Sequence, residues 1–221
     1  NFMSPTALSL EYLLRPSSLT SGKIPAIFMF HGYGSNEEDL FSFATELPEE
    51  PMVISVQAPY SLEPFGHAWY AINFDAEKGK WSDNIQARQS VDLIANFIDY
   101  ACDTYSVNKD NVTLLGFSQG TILSLSVAMN YPEKLKNIVA LSGYLNEDIL
   151  PETIDINKVS HLNIFCSHGY ADQVIPVEWA RKTPEYLSAL KINHIYKEYP
   201  VGHGVAPQNF YDFKDWLNNY L

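Results

Sequence analysis

Val112-Thr113-Leu114-Leu115-Gly116-Phe117-Ser118-Gln119-Gly120 is the stretch of sequence that decides the fold. Its first four residues form an apolar run that predicts a buried strand, and helical spacing of apolar residues begins directly after Gly120. Between them lies Gly-x-Ser-x-Gly, a pattern that places a serine on a tight turn at the rim of a parallel sheet. We therefore predict Ser118 as a nucleophile.

Strand-like and helix-like segments alternate on both sides of this turn. The predicted strands are Leu8–Leu14 at an edge, Ala26–Phe30, Met52–Val56, Val112–Leu115, Ile138–Leu141, Leu162–Cys166 and Ile195–Tyr199. The predicted helices are Ile85–Tyr105, Ile122–Met129, Trp179–Leu190 and Phe210–Leu221. This order predicts an α/β fold whose mostly parallel central sheet carries helices on both faces. Since the 221 residues contain no repeat and no linker long enough to separate two domains, we expect one domain over residues 1–221. So short a chain leaves little for a large cap domain, and we expect none.

A serine nucleophile needs a histidine to take its proton, and the histidine needs an acid to orient it. In hydrolases built on this turn the chain order is serine, acid, histidine. Asp172 follows the predicted strand that ends at Cys166, and His203 lies between two glycines after the strand that ends at Tyr199. The sequence therefore predicts Ser118, Asp172 and His203 as a catalytic triad.

Other acids and histidines compete for these roles. Glu147, Asp148 and Asp155 also follow the serine, but their segment is rich in acids and contains proline, which is typical of a solvated loop. His168 precedes the acid instead of following it, so we predict that it shapes the loop. Asp172 and His203 remain the preferred pair.

Acyl transfer also requires N–H groups aimed at the oxygen that becomes negative. One donor is predicted to be the backbone of Gln119, and the other the backbone of Tyr33 in His31-Gly32-Tyr33-Gly34, which follows an early strand. A dinucleotide-binding loop is disfavoured at this place because a third glycine is missing.

The stretch from Pro59 to Trp81 is dense in aromatic residues, which are Tyr60, Phe65, Trp69, Tyr70, Phe74 and Trp81. Clustered exposed aromatic residues usually have a role. They either line a substrate pocket or pack the loop onto the core, and the sequence leaves both interpretations open. We expect Trp69 to contact the substrate.

Composition excludes several classes of function. The net charge of −12 disfavours nucleic acid and anionic membrane surfaces, and the longest apolar run, Ala26–Phe30, is far shorter than the roughly 20 residues of a membrane span. Cys102 and Cys166 are far apart, which favours a reducing cytoplasmic location. No zinc or phosphate-loop motif occurs, so we expect neither a metal nor a cofactor.

Taken together, these motifs resemble the phospholipase/carboxylesterase family of α/β-hydrolases, which includes acyl-protein thioesterases and small bacterial carboxylesterases. The resemblance rests on His31-Gly32-Tyr33-Gly34, Gly116-Phe117-Ser118-Gln119-Gly120, His168-Gly169 before Asp172, Val174 and Pro176 after it, and Gly202-His203-Gly204. It implies the α/β-hydrolase fold and cofactor-free hydrolysis of carboxylic esters, or in some members thioesters or lysophospholipids. Val174 is a further expected substrate contact. The family's Trp-Phe-Asp-like stretch corresponds to Gly66–Tyr70, where no acid follows directly, and this leaves the substrate range open.

The sequence thus predicts a serine carboxylesterase that hydrolyses small esters through an acyl-enzyme. Two alternatives remain: an acyl-protein or acyl-CoA thioesterase or lysophospholipase that uses the same residues, and a non-catalytic binding protein on the same fold. The expected partner is a small-molecule ester, without nucleic acid or stable membrane association. A homodimer is left open.

Overall fold

A seven-stranded β-sheet is the framework of the part of the chain that the structure describes. The computed structural model describes residues 5–77 and 79–221. Its β-strands are β1 (Tyr12–Arg15), β2 (Ile24–Phe30), β3 (Met52–Val56), β4 (Tyr60–Ser61), β5 (His67–Ala68), β6 (Ile72–Asp75), β7 (Gly79–Ser82), β8 (Val107–Phe117), β9 (Asn137–Leu141), β10 (Asn163–Gly169) and β11 (Asn193–Tyr199). Its α-helices are α1 (Glu38–Phe41), α2 (Asn84–Thr104), α3 (Gln119–Asn130), α4 (Ile156–Val159), α5 (Val177–Ala189) and α6 (Pro207–Tyr220).

The strands of the sheet follow the order β1-β3-β2-β8-β9-β10-β11. Only the pairing of β1 with β3 is antiparallel among these strands of the described chain. The predicted α/β-hydrolase architecture, a mostly parallel sheet with helices around it, is thereby confirmed. Because parallel strands end at one edge, the loops after β2, β8, β10 and β11 gather there.

Each central strand is buried on both faces, which explains its nearly continuous apolar sequence. Along β2, Phe28 and Phe30 pack into one core with α2, α3 and α5, whereas Ile27 and Met29 pack into a second core with α1 and α6. The helices therefore cover both faces of the sheet, as the alternating sequence pattern predicts.

The structure differs from the sequence predictions at the N-terminal edge. The predicted strand Leu8–Leu14 is wrong in its first half, where Ala7–Ser9 forms a 3₁₀ turn before the short strand β1. The Ser9 hydroxyl accepts a hydrogen bond from Thr6 N at 2.9 Å and donates one to Thr6 O at 2.8 Å. Such local side-chain bonds compete with a strand ladder for the same backbone groups.

Two further segments differ from the sequence predictions, a strand and a stretch interpreted as a loop. Strand β8 begins at Val107 and not at Val112. Its register with β2 shifts between Ile24 and Ala26, and the first half of β8 contains polar residues that hide the strand in the sequence. The aromatic stretch from Pro59 to Trp81 contains two small antiparallel ribbons, β4–β5 and β6–β7. Among the described residues, no helix is long and apolar enough to cross a membrane.

Candidate active site

Ser118 occupies the sharp turn between β8 and α3. Its backbone has φ 55° and ψ −116°, a conformation that is uncommon for a residue with a side chain. Hydrogen bonds hold it there: Ser118 N donates to Leu141 O at 3.0 Å, and Thr121 N and Ile122 N donate to Ser118 O at 2.9 and 3.1 Å. The turn presents the hydroxyl at the edge of the sheet where the strand-end loops meet.

The two glycines of the turn are required by backbone contacts. A Cβ atom on Gly120 would lie 1.9 Å from Phe30 O, and one on Gly116 would lie 2.6 Å from Gly120 O. The turn thus packs directly on the end of β2, which brings the loop after β2 next to Ser118.

Ser118, His203 and Asp172 form a continuous chain of hydrogen bonds. His203 Nε2 lies 3.0 Å from Ser118 Oγ, and His203 Nδ1 lies 2.7 Å from Asp172 Oδ2. When Nδ1 donates its proton to the carboxylate, Nε2 is free to accept the proton of the serine hydroxyl. The three predicted triad residues are therefore brought together in the geometry that nucleophilic catalysis needs.

The environment of Asp172 favours its ionised form. Burial by itself raises the pKa of this carboxyl, but hydrogen bonds from Ile175 N at 2.9 Å, from His203 at 2.7 Å and from Val174 N at 2.8 Å outweigh it, and the net pKa is lowered. The fully buried His168 supports the same loop, since its Nε2 lies 2.8 Å from Ile175 O and 3.3 Å from Asp172 Oδ2. This agrees with its predicted role in shaping the loop.

Two of the competing acids, Asp148 and Asp155, have other partners. Asp148 accepts a hydrogen bond from Asn84 Nδ2 at 3.2 Å, and Asp155 caps α4 by accepting from Asn157 N at 3.0 Å. Among the described residues, the carboxylate bonded to His203 is that of Asp172.

Tyr33 and Gln119 lie beside Ser118, as expected for oxyanion donors. Both line the same cavity as the serine, and a Cβ on the adjacent Gly32 would be 3.2 Å from Ser118 Cβ. Within residues 5–77 and 79–221, neither the Tyr33 N–H nor the Gln119 N–H donates a hydrogen bond to another protein group. Both N–H groups are therefore free to bind an oxygen.

A cavity of about 660 Å³ opens over Ser118 and His203, and we refer to it as the Ser118 cavity. Its wall includes five Tyr and Trp side chains together with the predicted contact Val174. The aromatic rings in the wall belong to Tyr33, Tyr70, Trp81, Tyr144 and Trp179. The ribbon β6–β7 contributes Trp81, and the start of α5 contributes Trp179.

The prediction that Trp69 contacts the substrate is wrong. Trp69 is fully buried, and its indole Nε1 donates to His31 O at 2.8 Å. Its ring packs edge to face on Phe30, with centroids 5.5 Å apart. Because the indole satisfies its only donor beneath the loop after β2, it turns away from the Ser118 cavity, and Tyr70 lines the wall instead.

Sequence reasoning missed two aromatic wall residues, Tyr144 and Trp179. Trp179 was assigned only to a helix, although its position directly after the acid loop was a usable signal. Tyr144 lies in the loop after β9, and the sequence of that loop carries no comparable signal. No group of three or more His, Cys, Asp or Glu side chains in the described part of the chain is arranged to hold a metal ion.

A mostly parallel sheet with a serine at a strand-to-helix turn, followed by acid and histidine loops at later strand ends, defines the class of α/β-hydrolases. The chain belongs to the phospholipase/carboxylesterase family within this class, whose family model matches residues 20–221. This confirms the family resemblance seen in the sequence. The protein is accordingly a hydrolase of ester bonds.

Individual relatives agree with this assignment. The chain is 25% identical to acyl-protein thioesterase 1 of Kluyveromyces lactis over 213 residues, covering 88% of this chain and 91% of that protein. It is 27% identical to a probable carboxylesterase of Oryza sativa subsp. japonica over 162 residues, covering 70% of this chain but only 58% of that protein.

Solved structures share the fold. The Bacillus cereus carboxylesterase superposes with a TM-score of 0.81 at 19% identity, covering 96% of this chain and 95% of that one. The Zea mays acyl-protein thioesterase 2 superposes with a TM-score of 0.72 at 20% identity, covering 95% of this chain and 98% of that one. At these identities the likeness shows the fold alone.

Proposed function

We propose that this protein is a serine carboxylesterase that hydrolyses small carboxylic esters through an acyl-enzyme on Ser118. The observation that carries the proposal is the hydrogen-bonded chain from Asp172 through His203 to Ser118, at 2.7 and 3.0 Å, which opens into a cavity of about 660 Å³. A cavity of this size suits a small ester with modest acyl and alcohol groups.

Acylation begins when Ser118 Oγ bonds to the carbonyl carbon of the ester while its proton passes to His203 Nε2. The carbonyl oxygen becomes negative and accepts hydrogen bonds from the N–H groups of Tyr33 and Gln119. The ionised Asp172 stabilises the positive imidazolium. The tetrahedral intermediate then collapses, the bond to the alcohol oxygen breaks, and the alcohol leaves with the proton from His203.

Deacylation repeats these steps with water. His203 takes a proton from a water molecule as its oxygen bonds to the acyl carbon. The same two N–H groups bind the oxyanion, and the bond to Ser118 Oγ then breaks. The serine recovers its proton from His203, and the carboxylic acid is released.

A second candidate is a thioesterase, or a lysophospholipase, that uses the same residues. The similarity to acyl-protein thioesterase 1 of Kluyveromyces lactis, which extends over 88% of this chain, favours this candidate. A thiolate is a better leaving group than an alkoxide, so the same geometry serves both reactions. Comparing kcat/KM for an ester and a thioester with the same acyl group would decide between them.

The proposal is tested with an active-site probe. A fluorophosphonate should label the wild-type protein at Ser118, and p-nitrophenyl acetate should be hydrolysed. The variant Ser118→Ala should show neither. A wild-type protein that the probe does not label would instead support a non-catalytic binding protein.

A further inference from the structure

The segment His67–Tyr70 contacts both loops that form the proposed oxyanion hole. The first residue of the segment is hydrogen-bonded to the loop after β2: Gly34 N donates to His67 O at 2.8 Å, and His67 N donates to Ser35 O at 2.9 Å. The approach is close, because a Cβ on Gly66 would lie 2.2 Å from Gly34 O. This end of the segment is therefore fixed to the loop that carries the Tyr33 N–H.

The other end of the segment is hydrogen-bonded to the side chain of Gln119. Trp69 N donates to Gln119 Oε1 at 2.8 Å, and Gln119 Nε2 donates to Tyr70 O at 2.9 Å. The Gln119 side chain is buried, so both halves of its amide are engaged with one short stretch of backbone. An amide is suited to this contact because it supplies an acceptor and a donor at the same end.

The indole of Trp69 adds a third connection. Its Nε1 donates to His31 O at 2.8 Å, directly before Gly32 in the loop after β2. His31 is itself fixed, since its Nε2 accepts from Ala58 N at 3.0 Å and its Nδ1 donates to Gly32 O at 2.8 Å. Burial lowers the pKa of His31, which keeps the ring neutral and able to accept that bond.

We propose that the Gln119 side chain and the Trp69 indole are positioning residues for the oxyanion hole. This inference rests on the proposed esterase function. The two N–H donors come from different loops, after β2 and after β8. These loops touch directly at Phe30 and Gly120, and beyond that contact the separation of the donors depends on what else joins the loops. The segment His67–Tyr70 joins them, with Gln119 at one end and the loop after β2 at the other.

The variant Trp69→Phe tests the indole contact, because it keeps an aromatic ring and removes the bond to His31 O. We expect kcat to fall about tenfold, less than the loss of a whole oxyanion donor, while KM stays within about twofold. An alkyl boronic acid, which forms a tetrahedral adduct with the serine, should bind more weakly by the same factor as kcat falls.

The matched control is Trp216→Phe. Trp216 packs on Phe165 on the other face of the sheet, with ring centroids 5.9 Å apart. This variant removes the same indole N–H far from the site, and we expect kcat and boronic acid affinity to be unchanged. Values of kcat are expressed per site labelled by the fluorophosphonate, so a loss of folded protein does not count as a loss of rate.

The variant Gln119→Glu gives an independent readout in the pH profile. A protonated glutamic acid donates to Tyr70 O as the amide does, but an ionised one repels that carbonyl. We therefore expect the ratio of variant to wild-type kcat to fall as pH rises through the pKa of the new carboxyl. A ratio that stays near one at every pH would contradict the proposal.

The outcomes separate this inference from the function on which it rests. If the wild-type protein is neither labelled nor active, the esterase proposal fails. If it is labelled and active, but Trp69→Phe keeps its kcat per labelled site and its boronic acid affinity, the positioning role is overturned. A fall in melting temperature alone, without a change in these two values, would show a purely structural role and overturn it as well.

Discussion

Trp179 and Tyr144 pack edge to face, with ring centroids 5.2 Å apart and an interplanar angle of 68°. Both rings line the Ser118 cavity, and both also line an adjoining groove of about 430 Å³. The pair therefore lies between these two spaces, where we expect it to limit how far a substrate extends from the serine.

Replacing Trp179 by alanine should join the cavity to the groove. We expect the ratio of kcat/KM for a long-chain to that for a short-chain p-nitrophenyl ester to rise about tenfold. The control is Tyr211→Ala, which removes an exposed ring on α6. An unchanged chain-length profile in Trp179→Ala would show that substrates do not approach this wall.

Replacing Ser118 by alanine should lower kcat by about 10⁶, because the acyl-enzyme no longer forms. The measurement is hydrolysis of p-nitrophenyl acetate, with circular dichroism to check the fold. Ser126→Ala is the control, since Ser126 is a buried serine within α3, the helix that follows Ser118, and its replacement should leave kcat unaffected. Equal losses in both variants would point to damaged packing.

Replacing Asp172 by asparagine should lower kcat by about 10⁴. The amide would offer an N–H where His203 Nδ1 now finds an acceptor, so the imidazole would be held in the wrong tautomer. Assays at constant pH with the fluorophosphonate as a second readout would check this. Near wild-type rates would mean that another group orients His203.

The variant Asp172→Asn should also change how the free energy of unfolding depends on pH in the acid range. The lowered pKa of Asp172 means that the folded state binds this proton less readily than the unfolded state. Its stabilising contribution is complete above about pH 4, the ordinary range of the carboxyl, and is lost as pH falls through the lowered pKa. Urea unfolding across this range should therefore show a shallower acid dependence in the variant than in the wild type. Parallel curves would contradict this.

Replacing Gly120 by alanine should destabilise the protein by more than about 3 kcal/mol, because the new methyl group meets rigid backbone. The distance from the added Cβ to Phe30 O would be 1.9 Å. Gly204→Ala is the matched control, since no atom of the described residues lies within 4 Å of a Cβ at that position. Thermal unfolding of the two variants tests the contrast, and similar melting temperatures would refute it.

The turn at Ser118 and the order of the triad could be predicted from sequence because both depend on local patterns. A strand, a small-residue turn and a helix are adjacent in the chain, and Asp172 and His203 each lie in the loop after a predicted strand. The helix Ile85–Tyr105 was likewise predictable, since its apolar spacing is regular and the structure places it at Asn84–Thr104.

The walls of the site were less predictable because they depend on contacts between distant segments. The buried Trp69 indole donates its hydrogen bond to the backbone oxygen of His31, which lies 38 residues earlier in the chain. Tyr144 meets Trp179 only when the loop after β9 and the start of α5 come together. The ribbon β6–β7 was missed because its short strands, such as Gly79–Ser82, contain too few residues to show an alternating pattern.

The positive φ of 55° at Ser118 also limits how this enzyme could be re-engineered. A cysteine fits the same backbone, so exchanging oxygen for sulfur changes the chemistry of the nucleophile without altering the turn. Threonine is branched at Cβ, and branched residues are strongly disfavoured at positive φ. Gly32 also approaches the nucleophile closely, since a Cβ added to Gly32 would come within 3.2 Å of Ser118 Cβ. Cysteine can thus replace serine as the nucleophile at this turn, whereas threonine, a secondary alcohol, cannot.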